Sequence, residues 1–314
     1  MQHSNINLDE RMPIMPDRVE GLYEGNIEAI NSEPVTVERY TKDRSQFDRV
    51  LRKCVEKGGI DINDTVLVVG GRQEDAECLL RCGFHRITLS TIDGVPDEPE
   101  APGDLPVIAV DAEDIRLPDQ SYDIVFVHEV IHHCRSPHRA MCEMLRVARH
   151  QVLMMEPNES AFMRLLVRMQ LSFPFELMAV IDHNYLSGGV RDSQIPNFIF
   201  RWNRHDVDKL VSSFLPEYSL RVYADPYWDF NLDEAGLAVR KQTRIGMITG
   251  VIGAKNFLRI LHAAQSVLNR VPILRRQGNK FFCCVHRTSQ LRPWLALESD
   301  GRIIFNPSYQ SKKQ

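Results

Sequence analysis

Hydrophobic and polar positions fall into two alternating patterns from residue 65 onward. TVLVVGG is a continuous apolar run closed by glycines, the mark of a strand buried on both faces. EDAECLLRCGF then carries apolar residues at helical spacing (Ala76, Leu79, Leu80), with Gly83 as its stop. HRITLSTID, DLPVIAVDAED and YDIVFV read as three further strands, the second and third of the set separated by the Pro-rich loop GVPDEPEAPGD. Ser136 and Pro137 form an N-cap and first turn for the helix HRAMCEMLRVAR, and QVLMMEP is a fifth strand stopped by Pro157. Strands alternating with helices predict a doubly wound, Rossmann-like α/β sheet with helices on both faces.

Outside this block the periodicity is helical. ERYTKDRSQFDRVLRKCVEKG sets Phe47, Val50, Leu51 and Val55 on one face, as a helical cap over residues 1–62. An insertion over 158–203 opens with Asn158 as a cap and places Phe162, Leu165, Leu166 and Met169 at core spacing. It continues into HNYLSGGVRDSQIPNFIFRW, rich in turn residues, aromatics and arginines. The core resumes over 204–290, with one long helix expected from Ile245 to Asn269 and a basic turn at Arg270, Arg275 and Arg276. Residues 291–314 read as a tail.

Composition narrows the function. The chain has 314 residues, 43% of them hydrophobic, and a net charge of −4, so the overall balance favours neither nucleic acid nor an anionic membrane. No stretch reads as a membrane span, because IGMITGVIGAKNFLRILHAA is interrupted by Lys255 and Arg259. The seven cysteines lack metal-type spacing, and the start MQHSNINLDE has no apolar leader core. Reduced thiols in a cytoplasm are expected.

SYDIVFVHEVIHHC contains His-Glu-x-x-His at His128, Glu129 and His132. As a zinc-protease signature this works only on a helix, where both imidazoles share a face. Here the first half belongs to a strand and the next helix starts at Ser136, so the protease reading fails and no metal is expected. The strand ends instead carry Gly70 and Gly71, then Thr91 and Asp93, then Asp111, Ala112, Glu113 and Asp114, then His128 and Glu129, then Glu156 and Asn158. That acidic rim suits a ligand with hydroxyls and positive charge, since ligands bind outside the carboxyl ends of such strands. A dinucleotide is disfavoured because Glu74 and Asp75 occupy the turn where its pyrophosphate would sit.

The run DAEDIRLPDQSYDIVFVHEVIHHCRSPHRAMCEMLRVARHQVLMMEPN resembles the class I S-adenosylmethionine-dependent methyltransferases. RWNRHDVDKLVSSF is similar to the helix before their sixth strand, and NKFFCCVHR to their antiparallel seventh. The resemblance implies a seven-stranded, mostly parallel sheet and S-adenosylmethionine as cofactor. It implies cofactor contacts from Gly70, Gly71, Asp93, Asp111, Ala112, Glu113, His128 and Glu129, while Arg72, which stands where the family has a later glycine, is a candidate partner for the cofactor's carboxylate. His128 and His132 are the candidate bases, with His133 structural, and His183, Tyr185, Arg191, Asn197 and Arg201 the candidate acceptor residues. The acceptor expected is a small or carbohydrate-like molecule methylated at oxygen. VVGGRQED departs from the usual glycine loop, which leaves a non-catalytic binding scaffold as the alternative.

Overall fold

The computed structural model describes residues 46–58, 60–94, 105–230, 232, 234, 237 and 244–309. Strands β1 (Thr65–Val69), β2 (Arg86–Thr91), β3 (Val107–Ala109), β4 (Tyr122–His128), β5 (Ala148–Pro157), β6 (Arg221–Tyr227) and β7 (Lys280–His286) form one sheet in the order β3-β2-β1-β4-β5-β7-β6. β1 to β5 pair in parallel; β7 runs antiparallel between β5 and β6. The expected α/β class and antiparallel seventh strand are therefore both present.

The apolar runs are continuous because alternate side chains feed two cores. Leu67, Val69, Val125, Val127, Val152 and Met154 point to one face, under α3 (Pro137–Val147) and α6 (Arg204–Phe214). Val66, Val68, Ile124, Phe126, Leu153 and Met155 point to the other, under α1 (Gln46–Gly58) and α2 (Gln73–Arg81). With period-two side chains, only a sheet covered on both sides buries every residue of such strands. Asp48 of α1 accepts two hydrogen bonds of 2.8 Å from Arg81 of α2. This bidentate pair fixes α1 over the sheet.

Several local expectations are corrected. Ser160, not Asn158, caps α4 (Ala161–Arg168), accepting from the Met163 amide. Asn158 instead donates to the Gly278 carbonyl and ties β5 to the approach of β7. Phe162, Leu165 and Met169 are exposed, and Met163 is the buried residue of that helix. The long helix is broken at Gly253, whose φ of 81° is left-handed, into α7 (Arg244–Ile252) and α8 (Ala254–Arg270). A short α9 (Pro272–Arg275) follows, with Arg275 paired to Asp225 at 2.5 Å rather than left in a solvated basic turn. The C-terminal region holds an antiparallel pair, β8 (Leu295–Leu297) and β9 (Ile303–Phe305). Residues 1–45 of the expected cap lie outside the described residues.

Candidate functional site

Parallel strands end together, so β1 to β5 bring their following residues to one edge. Antiparallel β7 begins there, since Lys280 pairs in register with Pro157 and Tyr227. Short turns after β1 and β4 then fix the central part of the rim.

His128 ends β4. Its Nδ1 lies 2.6 Å from Oδ1 of Asp75, which is 1% exposed in the first turn of α2. The other Asp75 oxygen accepts the Arg72 amide at 3.0 Å, closing the start of that helix. Phe47 of α1 stacks on the imidazole with ring centroids 4.3 Å apart. The carboxylate favours a proton on Nδ1, which leaves the Nε2 lone pair available. Glu129 follows with φ 54°, and its carboxylate pairs with Lys280. A left-handed non-glycine residue beside a strand end marks a position fixed by its surroundings.

His132 lies in a different environment. It is 4% exposed within a 3-10 turn (Ile131–His133), with Nδ1 2.6 Å from Glu156 and Nε2 3.1 Å from Glu176. Burial opposes its charged form, yet the Glu156 carboxylate and the hydrogen bonds to both acids raise it to about 9. Burial also works against the Glu176 carboxylate, but the hydrogen bond and charge of His132 hold it down to about 2. Burial and the neighbouring His132 push His133 down. Glu156 also accepts the Val130 and Ile131 amides, so the cluster fastens the β4 turn to β5. Both ring nitrogens of His132 are thus engaged, which removes it as a free base.

The two histidines of the His-Glu-x-x-His string turn to different acids, His128 to Asp75 and His132 to Glu156 and Glu176, and the string runs from the end of β4 into a 3-10 turn rather than along an α-helix. Ligand atoms of His132, His133 and Glu176 do lie within 4.8 Å of one another, close enough to share a cation. A second such set among the described residues, Asp64, Asp123 and His150, is remote from this rim at the opening of β1.

The expected cofactor positions divide. Gly70 has φ +63°, and a Cβ there would lie 2.6 Å from a Val130 methyl. One on Gly71 would lie 2.8 Å from Val68. Both glycines are thus required by packing within the protein. Arg72 and Asp93 are exposed at the turn after β1 and beyond β2, and Asp93 accepts from the Thr91 hydroxyl. Asp111 and Ala112 are buried beyond β3. Asp111 accepts the Glu113 amide through Oδ1 and Arg191 through Oδ2, at 2.5 Å. Glu113 accepts the Arg135 and Ser136 amides, so it anchors the entry to α3 rather than facing the rim freely.

Of the candidate acceptor residues, Arg191 and Asn197 reach this region. Asn197 is 1% exposed and donates to the His132 carbonyl and to Glu176; its Oδ1 has no hydrogen-bond partner among the described residues. Arg201 staples the insertion through Ser172 and the Phe173 carbonyl. His183 and Tyr185 are exposed, with His183 bonded to the Ala179 carbonyl 2.6 Å away. The double glycine at 188–189 answers close backbone approach, since a Cβ on Gly189 would meet the Ile195 carbonyl at 2.0 Å. Asp75, Phe47, Glu176 and Lys280 were missing from the expected site. Asp75 alone had a sequence signal, as an acid in a helix first turn.

Residues 91–155, from the end of β2 to the end of β5, match the family model described as a methyltransferase domain. The match covers 65 of the 314 residues and makes this segment similar to methyltransferase domains. Among solved structures, a candidate methyltransferase from Bacillus halodurans is 13% identical with a TM-score of 0.43, covering 76% of this chain and 99% of its own. Magnesium protoporphyrin IX methyltransferase from Synechocystis, solved with bound S-adenosylhomocysteine, is 11% identical with a TM-score of 0.43, covering 86% and 96%. A candidate methyltransferase in complex with its activator from Haloferax volcanii is 16% identical with a TM-score of 0.42, covering 84% and 96%. No curated protein matches the chain.

Proposed function

We propose that this chain transfers a methyl group from S-adenosylmethionine to a hydroxyl of a small or carbohydrate-like acceptor, with His128 as the base. The observation that carries this reading is the Asp75–His128 pair: a buried carboxylate orients an imidazole at a strand end on the ligand edge. When bound, the cofactor supplies a methyl group on a sulfonium, open to in-line displacement. Arg72 is placed to pair with its carboxylate, Asp93 to accept from its ribose hydroxyls, and Asp111 with Ala112 to wall its adenine end. Stacking on Phe47 and bonding to Asp75 hold His128 in one orientation, so Nε2 can take the acceptor proton as the new bond forms. The insertion over 158–203 would cover the acceptor, through Arg191 and Asn197. None of the seven cysteines is disulfide-bonded, which fits a reducing cytoplasm.

One observation favours the alternative of a non-catalytic scaffold. Both Asp111 oxygens are engaged within the protein, and Val130 fills the space at Gly70. Calorimetric titration with S-adenosylmethionine and S-adenosylhomocysteine, with NAD as control, separates the two. Saturable binding of the first two supports the enzyme and licenses a search for acceptors with labelled methyl groups. Absence of binding at millimolar ligand selects the scaffold.

A further inference from the structure

The segment from Arg244 to Lys280 contains no aspartate or glutamate but carries Lys255, Arg259, Arg270 and Arg276 between its ends, besides Arg275, which pairs with Asp225, in a chain whose net charge is −4. Its helices do not contribute to the core. α8 is 17 residues long and has no buried residue. Met247 is 66% exposed, Val251 86%, Ile260 61% and Ile273 76%, which is opposite to what a core-packing helix shows. Residues 160–175 repeat the exposed apolar part of the combination, with Phe162, Leu165 and Met169 beside Arg168, while Arg164 pairs with Glu159 at 3.4 Å.

These two segments meet. The Phe162 ring packs edge-on against Trp228 at 5.7 Å, Trp228 donates to the Leu274 carbonyl, and Gln277 accepts from the Phe162 amide. The junction lies at the end of β5 and the start of β7, on the same sheet edge as His128. Exposed aliphatic side chains interleaved only with basic ones form a surface suited to the boundary between acyl chains and anionic headgroups.

We propose that α4 and the α7–α9 segment dock this protein onto an anionic phospholipid surface. Charge decides the occupant. In a two-fold dimer through α7–α9, a basic segment without acids would face its own copy, and like charges would repel. A nucleic acid would answer the charge but not the exposed Ile, Val and Met side chains, which offer no stacking surface. An anionic bilayer answers both. The proposal does not rest on methyl transfer, and its test needs no cofactor.

The test is flotation of the full-length protein with phosphatidylcholine vesicles made with and without phosphatidylglycerol, at low and high salt. Flotation is expected with the anionic vesicles only, falling as salt rises. Val251→Asp with Ile273→Asp, and separately Lys255→Glu with Arg259→Glu, should each weaken partitioning about tenfold or more. All four positions are exposed, so both variants retain the fold. The proposal is overturned if wild type fails to float with anionic vesicles at low salt, or if neither variant changes flotation. It is equally overturned if light scattering finds a dimer that the aspartate variant dissociates while no vesicle binding is seen.

Discussion

Oδ1 of Asp75 lies 2.6 Å from Nδ1 of His128, although 53 positions separate the two residues in sequence. Under the proposed chemistry His128→Gln lowers turnover about 10²–10⁴-fold while leaving cofactor affinity nearly unchanged. Asp75→Asn lowers it less, because an amide oxygen can still orient the ring. Steady-state kinetics across pH on both variants provides the check; unchanged turnover in His128→Gln would remove the base from this mechanism.

Arg72 is exposed where the cofactor carboxylate is expected. A charged hydrogen bond of this kind contributes about 1.5–3 kcal/mol, so Arg72→Ala should weaken S-adenosylhomocysteine binding by about tenfold or more. Arg72→Lys should recover part of the loss. Calorimetry reads both, and equal affinities in all three proteins would place the carboxylate elsewhere.

Gly70 combines a φ of +63° with a Val130 methyl 2.6 Å from the position of a Cβ. Gly70→Ala should therefore destabilise the fold by about 1–3 kcal/mol. Adding Val130→Ala relieves the steric part but not the backbone part, so the double variant should fall between the single variant and wild type in urea midpoint. A double variant no more stable than Gly70→Ala would mean that Val130 is not the obstacle.

The His132–Glu176 cluster fixes a pH window. With its folded value raised to about 9 from 6.5, the His132 contribution to stability is complete below about pH 6.5 and is lost as pH rises through about 9. With its value lowered to about 2 from 4.5, the Glu176 contribution is complete above about pH 4.5 and is lost as pH falls through about 2. The stability difference between wild type and His132→Gln should peak between about pH 4.5 and 6.5 and shrink on both sides. Urea denaturation across pH measures it; a pH-independent difference would show that His132 contributes by packing alone.

How much of this was legible in the sequence varies with the distance each feature spans. β1, β3, β4 and β5 were readable because a strand buried on both faces needs an unbroken apolar run, and each has one; β2 instead alternates Ile87 and Leu89 with buried Thr88 and Ser90. RVYADPY of β6 is mostly half-buried at the sheet edge, so its own pattern is weak; the helix before it gave the position away. β8 and β9 have three residues each, too few for periodicity to register. At the site, the acids and histidines at strand ends were visible as residue types. Their pairings were not, because Asp75–His128, Glu176–His132 and Arg191–Asp111 each join separate elements across 44 to 80 positions. Glu113 was misplaced because its side chain turns to the amides at 135 and 136, and no spacing rule signals that. Helical spacing in α4 and α8 was correct, but the face it marks is exposed rather than buried.

The place of β7 between β5 and β6 also sets an order of events during synthesis. β6, at residues 221–227, leaves the ribosome before β7, at 280–286, which is the only strand it pairs with among the described residues. The nascent chain can assemble β1 to β5 while β6 waits without a neighbour, and β5 keeps an open edge through the same interval. A product truncated between Tyr227 and Lys280 therefore loses two strands from the sheet, although it lacks the residues of only one of them.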